Sequence, residues 1–390
     1  MNQTDATFAL AASTVFDGEA MLAEHCVVVR DNVIEAVLPL ADCPDGVPMV
    51  RLESGTLAPG LIDLQVNGGG DRLFNNTPTA ETLHIMHRAH RSRGTTALLP
   101  TLVSDTRAVG EAAVAAVTEA RNQGLAGILG IHLEGPFLAG SKHGAHDTDK
   151  LRAPDSADLD WLCGLAAFPV MLTLAPERVA PHQLARLAAS GLHLCAGHTA
   201  ASYEQMAAAV GNGLSGVTHL YNAMSPLQAR QPGAVGAALT IDALWAGIIA
   251  DGHHVHAAAI HLALAAKPAG KLILVSDAMA GVGGRRGDFE LYGEVIRERD
   301  GRLVNAEGDL AGSAIGLIDA VAHMHKRIGL PLGEALRMAS LYPAAILDLD
   351  HVRGRLRPGY RADLVHFDEK FAVRHTWVGG EQARHGPENP

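Results

Sequence analysis

Positive charge is what this chain is short of. Its 31 lysines and arginines face 42 aspartates and glutamates, for a formal net charge of −11. A nucleic-acid partner usually requires a basic face, so none is expected. Long apolar runs are missing too. None approaches the ~20 residues that cross a bilayer, so no membrane span is expected. The N-terminal Met1-Asn2-Gln3-Thr4-Asp5 lacks a basic segment followed by an apolar one, and no secretory signal is read there. The four cysteines (Cys26, Cys43, Cys163 and Cys195) have no paired spacing. That excludes a disulfide or zinc-finger framework and fits a reduced, cytoplasmic chain. No G-x-G-x-x-G follows a strand, so a dinucleotide fold lacks its fingerprint. The run Gly68-Gly69-Gly70 reads as loop.

Histidine is abundant, at 21 of 390 residues. The length suits one large barrel plus a smaller domain. Residues 1–58 read as β-structure, with Cys26–Arg30 and Val33–Val37 flanking the hairpin signal Asp31-Asn32. From Pro59 the rhythm changes. Apolar strands are expected at Leu61–Val66, Thr95–Leu99, Ile128–Leu133, Val170–Leu174, Leu192–Ala196, Gly216–Thr218, Trp245–Ala250 and Leu272–Val275. Helical segments alternate with them at Thr79–Arg93, Asp105–Asn122, His182–Ser190, Ser202–Asn212 and Val255–Lys267. Such alternation predicts an α/β fold, a (β/α)8 barrel of the TIM type over residues 59–351, since ~250 residues is typical for that barrel. A hairpin at Phe289–Arg297 and Arg302–Asn305 and helices at Ala314–Ile328 and Leu332–Leu347 are expected after the last strand. From Val352 the chain is β-like again, so residues 1–58 and 352–390 are expected to pair into one small β-sandwich domain.

The chemistry gathers at the strand ends. The stretch Gly127–Leu133 is a buried strand that stops on Glu134, and Gly135-Pro136 then forces a turn. In a parallel barrel the C-terminal strand ends carry the active site. Other strands end in Gly197-His198-Thr199, in His219-Leu220-Tyr221-Asn222, in Asp251-Gly252-His253-His254 and in Ser276-Asp277. A lone histidine at a strand end is more often structural, but four functional groups on four strand ends are not a coincidence. Glu134, His198 and His219 make a three-ligand zinc set with an open position for water. Asp277 is placed to take that water's proton and return it to a leaving amine.

These residues resemble a known family. His132-Leu133-Glu134-Gly135-Pro136-Phe137, Gly197-His198-Thr199, His219–Met224, Asp251–His254 and Ser276-Asp277-Ala278 are similar to the N-acetylglucosamine-6-phosphate deacetylases of the amidohydrolase superfamily. Pro59–Asp63, Leu310–Ser313 and Pro358–Val365 extend the resemblance over nearly the whole chain. It implies hydrolytic deacetylation of N-acetylglucosamine 6-phosphate in amino-sugar metabolism, with Glu134, His198 and His219 binding the metal and Asp277 as general base and acid. It further implies that His254 polarises the acetamide carbonyl, and that Asn222, the Ala223 backbone and Arg230 hold the 6-phosphate. Leu310, Ala311 and Gly312 would pack by the acetyl group, and His146 would approach the sugar hydroxyls. A homodimer is implied, in which Arg230 can reach the neighbouring subunit's site.

The chain departs from many amidohydrolases in one place. Gln65-Val66-Asn67 stands where a His-x-His motif holds a first metal. Amides are weak zinc ligands, so Gln65 and Asn67 are expected to hydrogen-bond around the site instead. One divalent ion per chain is the expectation, Zn2+ first, with Fe2+, Co2+ or Mn2+ as alternatives. Two rival readings stand beside this one. Another amidohydrolase acting on a different N-acyl or cyclic amide, of the dihydroorotase or hydantoinase type, resembles this barrel but carries a carboxylated lysine ending strand 4 and a His-x-His ending strand 1, where this chain has Leu174-Ala175-Pro176-Glu177 and Gln65-Val66-Asn67. A metal-binding barrel without turnover would have no use for Asp277.

Overall fold

The structure, a computed structural model, describes residues 7–52, 54–306, 308 and 310–386. Met1–Asp5, read above for a leader, and the last four residues assigned to the small domain lie outside them. The described chain forms two compact units. One takes the chain through Asp63, His87–Ala97 and Gly316 onward; the other takes Leu64–Met86 and Leu98–Ile315.

An eight-stranded parallel sheet runs in chain order through Leu61–Val66, Thr95–Val103, Ile131–Glu134, Val170–Leu174, His193–Ala196, Leu214–Val217, Trp245–Ile248 and Leu272–Leu274. A bridge from Ala278 back to Val66 nearly closes it into a barrel, as the sequence led us to expect. Strands sandwiched between a filled interior and outer helices must be apolar on both faces, and Val170–Leu174 is buried at every position. Close approach is built in with small residues. A Cβ on Gly216 would come within 2.3 Å of the Trp245 ring on the next strand. Some of the crossover helices start on side-chain caps. Thr106 accepts the Val109 N–H ahead of Arg107–Asn122, and Ser202 with Gln205 forms a capping box ahead of Tyr203–Val210.

Several boundaries differ from expectation, each for a physical reason. The second strand does not stop at Leu99. It runs through Pro100, and Thr101, Leu102 and Val103 pair with His132, Leu133 and Glu134. The third strand starts later, at Ile131, but includes Glu134 itself, opposite Thr173. A helix at Gly233–Thr240 was not foreseen, because it is buried almost all round and shows no amphipathic period. Another, Ser156–Cys163, opens with an Asp155–Asp158 capping box. The hairpin after the barrel is a three-stranded meander, Phe289–Leu291, Glu294–Arg299 and Arg302–Val304. Its first turn falls at Tyr292-Gly293, both with positive φ (54° and 80°), which suits a tight hairpin turn. The expected helix Leu332–Leu347 is two, Leu332–Met338 and Leu341–Ile346. Pro343 cannot donate to Ala339, and its ring would clash with that carbonyl, so one continuous helix is blocked.

In the unit built from the chain ends, Thr56–Pro59 pairs antiparallel with Leu364–Phe367. This joins N- and C-terminal strands into one eight-stranded sheet. Alternation along Thr7–Phe16 sends Leu10 and Ala12 into one apolar cluster with Val27, Leu57, Leu364 and Trp377. Ala9 and Ala11 join Cys26 and Val28 in the other. Among the described residues no helix is long and apolar enough to cross a membrane.

Candidate active site

The carboxyl ends of the barrel strands surround a cavity of about 420 Å³. Glu134, His198, His219, Asp277, His254, His146, Asn67, Asn222, Ala223, Leu310 and Gly312 all line it. Most of these side chains lie at or just after a strand end, and the backbone at several of them is strained. His198, His219, Tyr221, Ala223 and Asp277 all adopt positive φ without being glycine. Such conformations cost of order 1–3 kcal/mol each and persist where the surroundings over-determine them.

Three of these side chains meet at one point. Glu134 Oε1 lies 3.2 Å from His198 Nε2 and 3.0 Å from His219 Nε2. The two imidazole nitrogens are 3.0 Å apart. All three groups are buried, and their ligand atoms lie within 4.8 Å of one another. Burial alone would raise the Glu134 carboxyl. Hydrogen bonds from His198 and His219, with their charge, reverse that and hold it well below the ordinary carboxylate range. His198 Nδ1 donates to the Lys142 carbonyl at 2.8 Å, so the neutral ring presents its Nε2 lone pair to the centre. Only one proton can lie between two facing imidazole nitrogens, whereas a cation can take both lone pairs. The donor set therefore fits a divalent metal. His219 Nδ1 is buried with no partner among the described residues, so no neighbour fixes its tautomer as Lys142 fixes that of His198.

Asp277 sits beside this cluster and is tied to it by amides. Its Oδ1 accepts from Asn67 Nδ2 at 2.7 Å and from Gln65 Nε2 at 3.1 Å. Gln65 Nε2 also lies 3.3 and 3.2 Å from the two Glu134 oxygens. Both amides thus act as donors that brace acids. Burial and the Glu134 charge push the Asp277 carboxyl up to about 6, against the pull of His219, His254 and Asn67. A raised carboxyl beside a cavity is the usual mark of a group that moves protons.

The remaining expected residues divide. His254 is held by Asp251, whose Oδ2 lies 2.6 Å from its Nδ1. His146 Nδ1 accepts the Ser104 N–H at 3.2 Å and lies 2.8 Å from Ser104 Oγ. Asn222 Nδ2 donates to the carbonyls of His219 and Leu220. Ala311 is fully buried in an apolar cluster with Met279 and Leu291 and is absent from the cavity wall. Arg230 is also absent from that wall. It lies with Ser202, Glu204, Gln228 and Gln231 at a separate depression. His132, inside the most distinctive motif, is structural: Nδ1 donates to the Leu64 carbonyl, Nε2 meets Thr173 Oγ1, and burial lowers it to about 4. Asp251, Ser104 and Lys142 were given no definite part by the sequence. Only Asp251 left a signal, as the acid that opens the Asp251-Gly252-His253-His254 turn.

The chain is similar to known proteins over nearly its whole length. The amidohydrolase family model matches residues 56–383, and the NagA composite domain matches residues 7–57. An N-acetylgalactosamine-6-phosphate deacetylase of Shewanella sp. (strain ANA-3) is 41% identical over 366 residues, covering 92% of this chain and 92% of that protein. The crystal structure of an N-acetylglucosamine-6-phosphate deacetylase from Pasteurella multocida superposes with a TM-score of 0.94 at 34% identity, covering 97% of this chain and 100% of that one. A mutant N-acetyl-D-glucosamine-6-phosphate deacetylase from Mycobacterium smegmatis, solved with N-acetyl-D-glucosamine-6-phosphate, superposes with a TM-score of 0.89 at 31% identity, covering 97% of this chain and 99% of that one.

Proposed function

The chain belongs to the amidohydrolase family, and on that premise we propose that it hydrolyses N-acetylglucosamine 6-phosphate to glucosamine 6-phosphate and acetate. The observation that carries this reading is the meeting of Glu134, His198 and His219 beside a raised Asp277 in one cavity.

Glu134, His198 and His219 would hold one divalent ion, Zn2+ by the chemistry of the set. Such an ion supplies Lewis-acid activation of water and carbonyl. The chain's own groups do the rest. Asp277 has Oδ1 pinned by Gln65 and Asn67, which leaves Oδ2 to the cavity. There it accepts a proton from the attacking water as the oxygen bonds to the acetyl carbon. It then returns the proton to the amide nitrogen as the C–N bond breaks, giving acetate and the free amine. His254 faces the acetyl carbonyl, and the His146 ring faces the sugar hydroxyls. Leu310 and Gly312 border the acetyl group, and Ala311 backs them from the apolar layer. Asn222 and the Ala223 N–H take the phosphate. Ala223 lines the cavity and adopts positive φ.

Arg230 completes phosphate recognition from a second copy of the chain. Its place at a separate depression supports supply in trans within a homodimer. An acidic protein needs such a local cation to draw in an anionic sugar, and a guanidinium fork suits phosphate. The enzyme would act in the cytoplasm.

One observation favours a second reading of the sugar. The Shewanella relative is named for N-acetylgalactosamine 6-phosphate, which differs only in the configuration at C4. Acetate release from the two phosphorylated sugars, measured side by side, tests both. Release from neither would refute the function.

A further inference from the structure

We propose that Asp251 is a positioning residue that decides which nitrogen of His254 carries the proton, so that His254 donates to the substrate only as an imidazolium. The inference rests on the reading above, in which His254 faces the acetyl carbonyl.

Asp251 and His254 share the loop after the seventh strand, and both side chains are buried. Asp251 Oδ1 accepts the backbone N–H groups of His253 and His254 at 2.8 and 2.9 Å. Oδ2 lies 2.6 Å from His254 Nδ1. Despite burial, the His254 hydrogen bond and charge bring the Asp251 carboxyl down to about 2. An ionised carboxylate can only accept, so Nδ1 must carry a hydrogen. Nε2 is then the nitrogen left to the cavity, and no described residue bonds to it. In the neutral ring that Nε2 is a bare lone pair, which cannot polarise a carbonyl. It becomes a donor only when the ring takes a second proton.

Charged and titratable groups around the cationic ring act in both directions, and Glu134, His146, His198 and His219 line the same cavity. Asp251 touches it from its own loop. Asp277 interacts with its charge from the loop after the eighth strand. Lys142 and His143, on the loop after the third strand, line the same cavity and oppose it. His253, adjacent in sequence, is exposed.

The residue Asp251→Asn keeps the shape and reverses the logic. Two backbone N–H groups hold the oxygen at the Oδ1 position, so the amide NH2 must point at His254 Nδ1. The ring then accepts at Nδ1 and carries its hydrogen on Nε2, a neutral donor that needs no second proton. In ¹⁵N NMR of the metal-loaded enzyme, His254 should be protonated at Nδ1 in the wild type and bare there in Asp251→Asn. Wild-type kcat should fall with rising pH as the imidazolium is lost. The variant should lack that alkaline limb. Its kcat should be lower by about tenfold or more, with KM little changed, because a neutral donor replaces a charged one. A wild-type ring bare at Nδ1 would overturn the proposal without recourse to any variant. So would an Asp251→Asn enzyme that folds and keeps the wild-type pH profile. His254→Ala separates the premise from the inference: near-full activity there would remove His254 from the reaction, while the ring spectra of the wild type and Asp251→Asn would still report whether Asp251 sets the tautomer.

Discussion

Replacing Asp277 by asparagine should move activity and stability in opposite directions. Oδ1 accepts from both Gln65 and Asn67, so the asparagine oxygen must take that position. Its NH2 then faces the cavity where a proton acceptor is needed. Loss of general acid–base catalysis costs about 10²–10⁴-fold, and kcat should fall by at least that much. Metal content should hold, because Gln65 keeps its contacts with Glu134. Stability should rise in the metal-free protein. The Asp277 carboxyl moves from 3.8 unfolded to about 6 folded, by burial and then by the Glu134 charge. The folded state therefore binds more protons between those values, and stability falls as pH rises through them. Above pH 6 the ionised group costs the fold on the order of 3 kcal/mol, which the neutral amide avoids. Urea unfolding of chelator-treated protein should show Asp277→Asn more stable at pH 7 and level with wild type near pH 3.5. A variant that keeps most of its kcat would refute the proton role. One that is destabilised at pH 7 would refute the electrostatic reasoning.

The other predictions concern the ion, the phosphate and a buried lysine. Elemental analysis after dialysis should find one divalent ion per chain, and Glu134→Gln should lose it; two per chain in the wild type would contradict the donor set. Arg230→Ala should raise KM for the phosphorylated sugar and leave the weak activity on unphosphorylated N-acetylglucosamine nearly unchanged, so equal losses on both would remove Arg230 from phosphate binding. Lys267 is lowered from 10.5 to about 8 by burial, with its Nζ donating to the Ile241 carbonyl. The folded chain binds fewer protons than the unfolded one across that window, so wild-type stability should rise from pH 8 to 10.5 relative to Lys267→Met, a gap that thermal melts at several pH values would expose.

The barrel was legible because its strands are buried on both faces and end in polar residues. Leu61–Val66 and Val170–Leu174, both mainly apolar, were placed to the residue. Glu134, His198, His219 and Asp277 were legible because strand ends of a parallel barrel share one mouth, so residues far apart in sequence had to converge. What stayed hidden was whatever carries no local signal. Gly233–Thr240 has no polar face to give it a period. Ser104 reaches His146 across 42 positions, and nothing in its own neighbourhood announces that bond. Lys142 acts through its carbonyl, which every residue type possesses. Arg230 shows the opposite limit: its chemistry was readable, but a single chain does not bring it to the cavity wall.

Gln65 ties these strands of argument together. Its single amide nitrogen lies within hydrogen-bonding range of both oxygens of Glu134 and of Asp277 Oδ1. The acid that would hold the ion and the acid that would move the proton are therefore positioned by one donor. Two buried carboxylates this close repel, as the raised Asp277 shows, and an NH2 group shared between them offsets part of that cost. A neutral imidazole at the same position could present only one N–H, and it would spend its lone pair on a second cation. Glutamine instead presents two hydrogens from one nitrogen. The departure from His-x-His is thus a different solution to the same electrostatic problem. A second metal would neutralise two acids, whereas Gln65 donates toward both and Asn67 to Asp277 alone.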